Sequence, residues 1–160
     1  MFPQITRDYG WLIVTLAVIS IIYGAVVTIR QSDLKRLIAY SSVSHMGLVL
    51  IGLATLDSIG ISGAVLQMFS HGIMTALFFA LIGFVYDQAH TRDINIFQGL
   101  AKKMGLTASF FAVAGLASLG LPGLSGFVAE FLVFVGVFEE YLPLAILAVI
   151  GAAITAVYIL

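Results

Sequence analysis

Three ionisable side chains lie inside long apolar stretches of this 160-residue chain. Glu130 belongs to an apolar run over residues 104–138, and His45 and His71 belong to two earlier ones. Ionisable groups inside membrane-length segments are rare and often mark ion or proton pathways. Histidine titrates near neutral pH and burial favours the neutral form of a carboxyl group, so such a set could relay protons through bound water. These three residues are the candidate proton-transfer groups.

Residue counting places the three groups near one level of a membrane. At 1.5 Å per helical residue, His45 lies about 13 Å and His71 about 22 Å from one boundary. By the same rise, Glu130 lies about 14 Å from the opposite boundary. Since the hydrocarbon core is about 30 Å thick, the three could form one layer.

Polar residues at helical spacing accompany the histidines. Positions four apart share a helix face, which pairs Ser41 with His45 and places His71 between two further polar residues. Such stripes suit a bundle interior or a hydrated channel. The candidates for supporting polar contacts and hydration are Ser41, Ser44, Gln67, Ser70 and Thr75.

Two other interpretations of the histidines remain open. Each ring could be neutral and hydrogen-bonded to a hydroxyl or carbonyl group of a neighbouring helix. Alternatively, histidines on adjacent spans can ligate a haem iron, which would make the chain a b-type electron carrier. Against haem, neither histidine belongs to a repeated pattern, and counting places them at different depths.

The eight residues LGLPGLSG at positions 119–126 should interrupt the apolar run before Glu130. Proline removes a backbone donor and clashes with the preceding turn, and glycine favours unwound backbone. A break at membrane depth is tolerated where the backbone is buried in protein or lines a water-filled cavity. We therefore predict a broken helix, whose loosened backbone would hold water beside the carboxyl group, rather than a simple proline kink. The predicted break residues are Gly120, Pro122, Gly123 and Gly126.

Composition predicts an all-α polytopic membrane helix bundle forming a single membrane domain. The chain is 61% hydrophobic and 9% charged, with a mean hydropathy of +1.14. Its net charge of −1 indicates no nucleic-acid partner, and the absence of cysteine excludes disulfides and thiolate metal sites. No metal site is predicted. About five spans are expected, one of them broken, at residues 9–29, 37–56, 61–86, 104–138 and 142–160.

Basic residues cluster in the linkers over residues 30–36 and 87–103. By the positive-inside rule both linkers face the cytoplasm, or the matrix or stroma in an organelle. Lys35 is most simply a topology signal of this kind. Its functional interpretation, together with Asp33, is a place where protons enter.

Four segments resemble the subunit M (chain 4) family of proton-translocating NADH:quinone oxidoreductase, complex I. The resemblance covers nearly the whole chain in order, although LPGLSGF alone would also suit related cation/proton antiporter subunits. The segments are Asp33–Gly47, Gln67–Gly72, Tyr86 through His90–Asp93, and Ser118–Glu130.

The resemblance implies helices nine to thirteen of a fourteen-helix proton-translocating subunit. Glu130 matches the ionisable residue on broken helix twelve, and His45 and His71 match histidines on helices ten and eleven. The family's glutamate on helix five and its lysines on helices seven and eight have no positions here, so a fragment is expected. The runner-up is the D-type subunit of a multisubunit cation/proton antiporter.

The resemblance also implies where the chain works and with what. NADH, FMN, iron–sulfur clusters and quinone would reside in partner subunits, with no cofactor in this chain. The expected partners are neighbouring antiporter-like membrane subunits and the lipid membrane. A bacterial inner membrane is the expected location, with an organellar inner or thylakoid membrane as the alternative.

Overall fold

The computed structural model describes residues 3–97 and 99–159, and within them every regular element is helical apart from one isolated β-bridge. The predicted all-α class is therefore confirmed. The helices are α1 (Pro3–Asp8), α2 (Gly10–Ile29), α3 (Leu34–Ala54), α4 (Ser58–Ala89), α5 (Leu100–Lys103), α6 (Gly105–Ser118), α7 (Ser125–Glu140), α8 (Leu142–Ala153) and α9 (Thr155–Ile159), with a 3₁₀ turn at Ile94–Ile96.

Four described helical segments are long and apolar enough to cross a membrane. They are α2, α3, α4 and the nearly continuous α8–α9 unit over Leu142–Ile159; α6 is a shorter apolar helix. A helix satisfies its backbone hydrogen bonds internally, as lipid requires. The fourth predicted span is divided into α6 and α7, which agrees with the predicted broken helix.

Small residues allow neighbouring helices to approach closely. A Cβ on Gly24 would lie 2.8 Å from the Ser44 backbone nitrogen, so α2 and α3 touch backbone to backbone there. A Cβ on Gly63 would lie 2.7 Å from the Val133 nitrogen, which joins α4 to α7 in the same way. Such contacts hold membrane helices together by packing, because lipid offers no hydrophobic driving force between them.

Two apolar clusters flank the polar layer. The first joins α2, α3, α7 and α8 around Ile21, Leu48 and Val133. The second joins α3, α4 and α6 around Ile38, Phe78 and Ala114. They fix the four helices that carry the candidate residues.

The break occupies residues 119–124. Gly120 and Gly123 have φ values of 61° and 103°, which L side chains rarely adopt, so glycine at both positions follows from the backbone path. Gly126 is a correction, because it is the second residue of α7 and not part of the unwound segment. Its role is close packing, since a Cβ there would lie 3.1 Å from the Ala117 carbonyl oxygen and 3.6 Å from Ser70 Oγ.

We call the side of the bundle where α2 and α4 end and α3 begins the basic face. Asp33 caps α3, and its backbone pairs with that of Asp93 in an isolated antiparallel bridge. The bridge is closed by bonds of 3.0 Å from Leu34 N to Arg92 O and 2.9 Å from Ile94 N to Ser32 O. The loop after α4 is thereby tied to the start of α3.

Candidate functional site

His45 is the centre of a buried polar cluster between α3, α4, α6 and α7. Its Nδ1 lies 3.7 Å from Glu130 Oε1 on α7, and its Nε2 lies 3.3 Å from Ser118 Oγ on α6. Its ring centroid lies 5.2 Å from that of His71 on α4, with the planes tilted by 45°. The structure thus brings together the three residues that residue counting placed near one level.

Each ring nitrogen of His45 faces a different possible hydrogen-bond partner. The His45–Glu130 distance of 3.7 Å is too long for a good hydrogen bond, and the pair is ionic only when the histidine is protonated. A neutral His45 has one donor nitrogen, which can face either the Glu130 carboxyl group or the Ser118 hydroxyl group. A small side-chain movement or one bridging water would connect histidine and carboxyl group.

Two buried atoms at this site have no hydrogen-bond partner among the described residues. They are Gln67 Oε1 and His71 Nδ1, on residues exposed by 3% and 9%. Gln67 is also a hydrogen-bonding neighbour of the Glu130 carboxyl group. Buried polar atoms are nearly always paired, and one left unpaired costs about 1–3 kcal/mol. A water molecule or a transferred proton would therefore find partners at these atoms.

The four predicted hydroxyl residues bond mostly to backbone carbonyl groups. Thr75 Oγ1 donates to His71 O at 2.7 Å, and Ser41 Oγ donates to Ile38 O at 2.9 Å. The remaining two bridge helices. Ser44 Oγ donates 3.1 Å to Ile21 O of α2, on the side away from the cluster, and Ser70 Oγ lies 2.9 Å from Ser125 Oγ at the start of α7.

Gly120 in the helix break lies directly against the carboxyl group of Glu130. A Cβ at this position would lie 2.7 Å from Oε2 and 3.3 Å from Cδ. The break therefore leaves room for the carboxyl group as well as changing the backbone direction. Sequence reasoning expected the break to provide polar backbone, and the structure adds this steric role.

Sequence reasoning did not select one residue that faces the cluster. Ser118 is the last residue of α6 and the partner of His45 Nε2; its place just before the break was the available signal.

A cavity of about 270 Å³ opens beside the cluster between the break, α7 and α8. Its wall includes Gly120, Glu130, Phe134, Val149 and Ala152. The lining is apolar except at Glu130. The carboxyl group thus faces both the buried histidine side and an open cavity.

Asp33 and Lys35 are not joined to this cluster by any hydrogen bond or ion pair among residues 3–97 and 99–159. Asp33 Oδ1 accepts from the backbone of Lys35 at 2.8 Å and of Arg36 at 3.0 Å, and Oδ2 lies 4.0 Å from Arg92 Nε. The Lys35 side chain lines a separate cavity on the basic face.

The haem alternative finds little support in this geometry. Both ring nitrogens of His45 face protein atoms, and the residue is only 3% exposed. A histidine that ligates a haem iron needs an unpaired ring nitrogen facing a space large enough for the porphyrin. Within the described residues, no group of three or more His, Cys, Asp or Glu side chains is arranged to hold a metal ion.

Comparison with known proteins identifies the family. The family model described as NADH:quinone oxidoreductase/Mrp antiporter, transmembrane, matches residues 1–155. The chain belongs to this family. With its apolar helices, membership makes it an integral membrane protein. Bacteria, cyanobacteria among them, supply the relatives described next.

Individual relatives agree over the full length of the chain. It is 42% identical over 160 residues to NADH-quinone oxidoreductase subunit M of Rickettsia prowazekii and 45% identical over 167 residues to NAD(P)H-quinone oxidoreductase chain 4 of Prochlorococcus marinus. Each alignment covers 100% of this chain but only 33% and 30% of those proteins. The chain therefore spans about a third of the length of the curated relatives it matches.

Two solved structures share the fold. A chain of respiratory complex I from Thermus thermophilus superposes with a TM-score of 0.93 at 34% identity, covering 96% of this chain and 33% of that one. A chain of the membrane-bound sulfane sulfur reductase, an archaeal respiratory membrane complex, gives 0.89 at 28% identity, with 94% and 31% covered. Both are membrane assemblies of respiratory chains.

Proposed function

We propose that this chain forms part of a proton-translocating membrane subunit of NADH:quinone oxidoreductase. The observation that carries the proposal is the buried contact of His45 with Glu130 at 3.7 Å, extended by the His71 ring at 5.2 Å. Buried ionisable residues on facing membrane helices are costly and typically serve ion or proton transfer. The full-length identities to subunit M and chain 4 proteins support the same conclusion.

In this proposal Glu130 accepts and releases the transferred proton, and the two histidines relay it. Protonated His45 would donate through Nδ1 toward Glu130 Oε1 after a small approach of the two groups. His71 would exchange protons with His45 through water, which the unpaired Gln67 Oε1 and His71 Nδ1 would help to hold. Gly120 leaves Glu130 space to turn between the histidines and the cavity beside α8.

The remaining assignments follow from the relatives. NADH oxidation and quinone reduction would take place in partner subunits, which would hold the FMN and iron–sulfur clusters. Neighbouring antiporter-like membrane subunits would be the direct partners. Asp33 and Lys35 would contribute to proton entry only through groups outside the described cluster, since no contact joins them to it.

The decisive test replaces Glu130 by Gln in the full-length subunit within its intact complex. Gln keeps the shape and the hydrogen bonds but cannot carry a proton, so we expect the number of protons moved per NADH oxidised to fall. Glu139→Gln is the matched control, because it makes the same change at the exposed end of α7. Proton uptake into vesicles and NADH oxidation are measured in parallel. Unchanged stoichiometry in the Glu130 variant would refute the proposal.

A multisubunit cation/proton antiporter is the second candidate, because the matching family description includes such antiporters. The same cluster would then exchange protons against sodium or another cation. The driving force distinguishes the two functions. Flux that follows quinone reduction supports the oxidoreductase, and flux that follows an imposed sodium gradient without redox substrates supports the antiporter.

A further inference from the structure

We propose that the basic face carries a binding site for an anionic phospholipid, with the headgroup on Lys35 and Arg92 and an acyl chain along α4. The site is a cavity of about 520 Å³ whose lining combines these two cations with the α4 residues Phe79, Ile82, Gly83 and Tyr86. It shares no residue with the His45–Glu130 cluster. The inference is therefore independent of the proposed proton transfer.

The apolar part of the cavity is a groove along one face of α4. Its four α4 residues follow the i, i+3, i+4, i+7 pattern, which lines up side chains along one helix face over about 10 Å. Gly83 forms the floor, because a Cβ there would meet no atom within 4 Å. Phe79 is 40% exposed and forms an apolar wall. This shape suits a hydrocarbon chain lying against the helix.

The charged part of the cavity lies at the membrane-boundary end of the same groove. The Arg92 guanidinium group lies 5.0 Å above the Tyr86 ring and 4.0 Å from Asp33 Oδ2, so Asp33 balances part of its charge. No carboxylate of the described residues lies within 4.0 Å of the Lys35 ammonium group. Asp33 and Asp93 line an adjoining polar cavity together with Arg92. Lys35 is thus the cation without a carboxylate partner among the described residues. Arg92 is held beside it by Asp33 and the Tyr86 ring.

The charged and apolar residues follow one another along the groove in an order that fits a phospholipid. Cations and an aromatic ring at the boundary followed by an apolar groove match a phosphate headgroup followed by its acyl chain. Free phosphate would use only the two cations and leave the groove unused. A protein helix in the groove would remove Lys35 from water, which is unfavourable unless that helix places a carboxylate beside the ammonium group. An anionic phospholipid satisfies both halves.

Photolabelling of the full-length subunit in its complex tests the site. Vesicles contain either phosphatidylglycerol or phosphatidylcholine carrying the same diazirine-bearing acyl chain, and mass spectrometry quantifies label on residues 79–86. We expect at least about five-fold more label from phosphatidylglycerol, since each nearby cation favours an anionic lipid by roughly that factor. Equal label from both lipids, or no label from either, would overturn the proposal. The latter outcome would indicate a protein segment in the groove.

Two variants separate the headgroup from the acyl chain. Lys35→Gln with Arg92→Gln should lower phosphatidylglycerol labelling about 25-fold, whereas Arg30→Gln with Arg36→Gln removes the same charge nearby and should change it less than about two-fold. Gly83→Leu fills the groove floor without altering charge. It should lower labelling at least about five-fold, since each methylene group displaced from apolar contact weakens binding about four-fold. Full labelling in the Gly83 variant would contradict an acyl-chain site.

Competition with inorganic phosphate tests whether the two cations bind any free anion or specifically a lipid headgroup. Phosphate added at 20-fold excess over the lipid should leave the labelling unchanged, and strong displacement would indicate a simple anion site. Native electrophoresis checks that each variant assembles. If one does not, the phosphatidylglycerol-to-phosphatidylcholine ratio and the phosphate competition on the unaltered protein still decide.

Discussion

The molecule places the same kinds of ionisable residue in two different settings. In the interior, Glu130 faces the side chains of His45 and Gln67. On the basic face, Asp33 accepts backbone bonds of 2.8 and 3.0 Å at the start of α3, and Asp93 accepts one of 3.0 Å from Asn95 N. The surface carboxylates hold backbone in place, whereas the interior one lies against other side chains.

This contrast shows that surroundings decide what an acid does. A carboxylate bonded to backbone N–H groups is fixed in position by those bonds. A carboxyl group whose nearest partners are a histidine and an amide side chain can exchange a proton with them. His45 and His90 differ in the same way, since His45 is buried in the cluster while His90 is exposed and ends α4 with φ of 51°.

The largest expected effect is on proton transfer, when the same substitution is made at His45 and at His90. His45→Asn should reduce proton transfer by at least about ten-fold, because Asn keeps a polar group but cannot relay a proton near neutral pH. His90→Asn should change it by less than about two-fold, since Asn tolerates the left-handed backbone and no cluster contact is lost. Proton flux in vesicles containing the full-length subunit is the measurement. Equal losses of proton flux in the two variants would contradict different roles for the interior and the surface histidine.

The next effect compares two glycines of the helix break. Gly120→Ala and Gly123→Ala both place a Cβ at positive φ, which costs about 1–2 kcal/mol each. Only Gly120→Ala brings that Cβ within 2.7 Å of Glu130 Oε2, whereas Gly123 has open space around it. Both variants should therefore lose similar stability, and only the first should lose proton flux. Thermal unfolding and flux measured on the same samples test this, and a flux loss at Gly123 would contradict it.

The smallest effect concerns the surface carboxylate. Asp33→Ala removes the cap of α3 and the neighbour of Arg92, so we expect a loss of about 1 kcal/mol in unfolding free energy. Proton flux should stay within about two-fold, because no described contact joins Asp33 to the cluster. Denaturant unfolding in detergent supplies the first quantity and vesicle assays the second. A large flux loss at unchanged stability would instead assign Asp33 to the proton path.

Sequence reasoning predicted the fold class correctly and selected three residues that the fold brings close together. Long charge-free segments require helices in lipid, and an acid or histidine inside one is conspicuous. The contacts of the small polar residues were harder to predict from the sequence. Ser44 shares a sequence segment with His45 but faces α2, while Ser118, a distant residue, is the actual partner of His45. Helix periodicity states which residues share a face, and it does not state which helix that face meets.

The sequence by itself predicted that the chain is a membrane helix bundle, that one helix is broken within residues 119–126, and that Glu130, His45 and His71 belong to apolar segments of membrane length. These features depend on local composition, because burial in lipid and the limits of proline and glycine act within one segment. Tertiary structure alone decided the 3.7 Å contact of His45 with Glu130, the pairing of His45 with Ser118, and the fit of Gly120 against Glu130. These features depend on how separate helices pack. That packing is determined by the fit between side chains that are far apart in the chain.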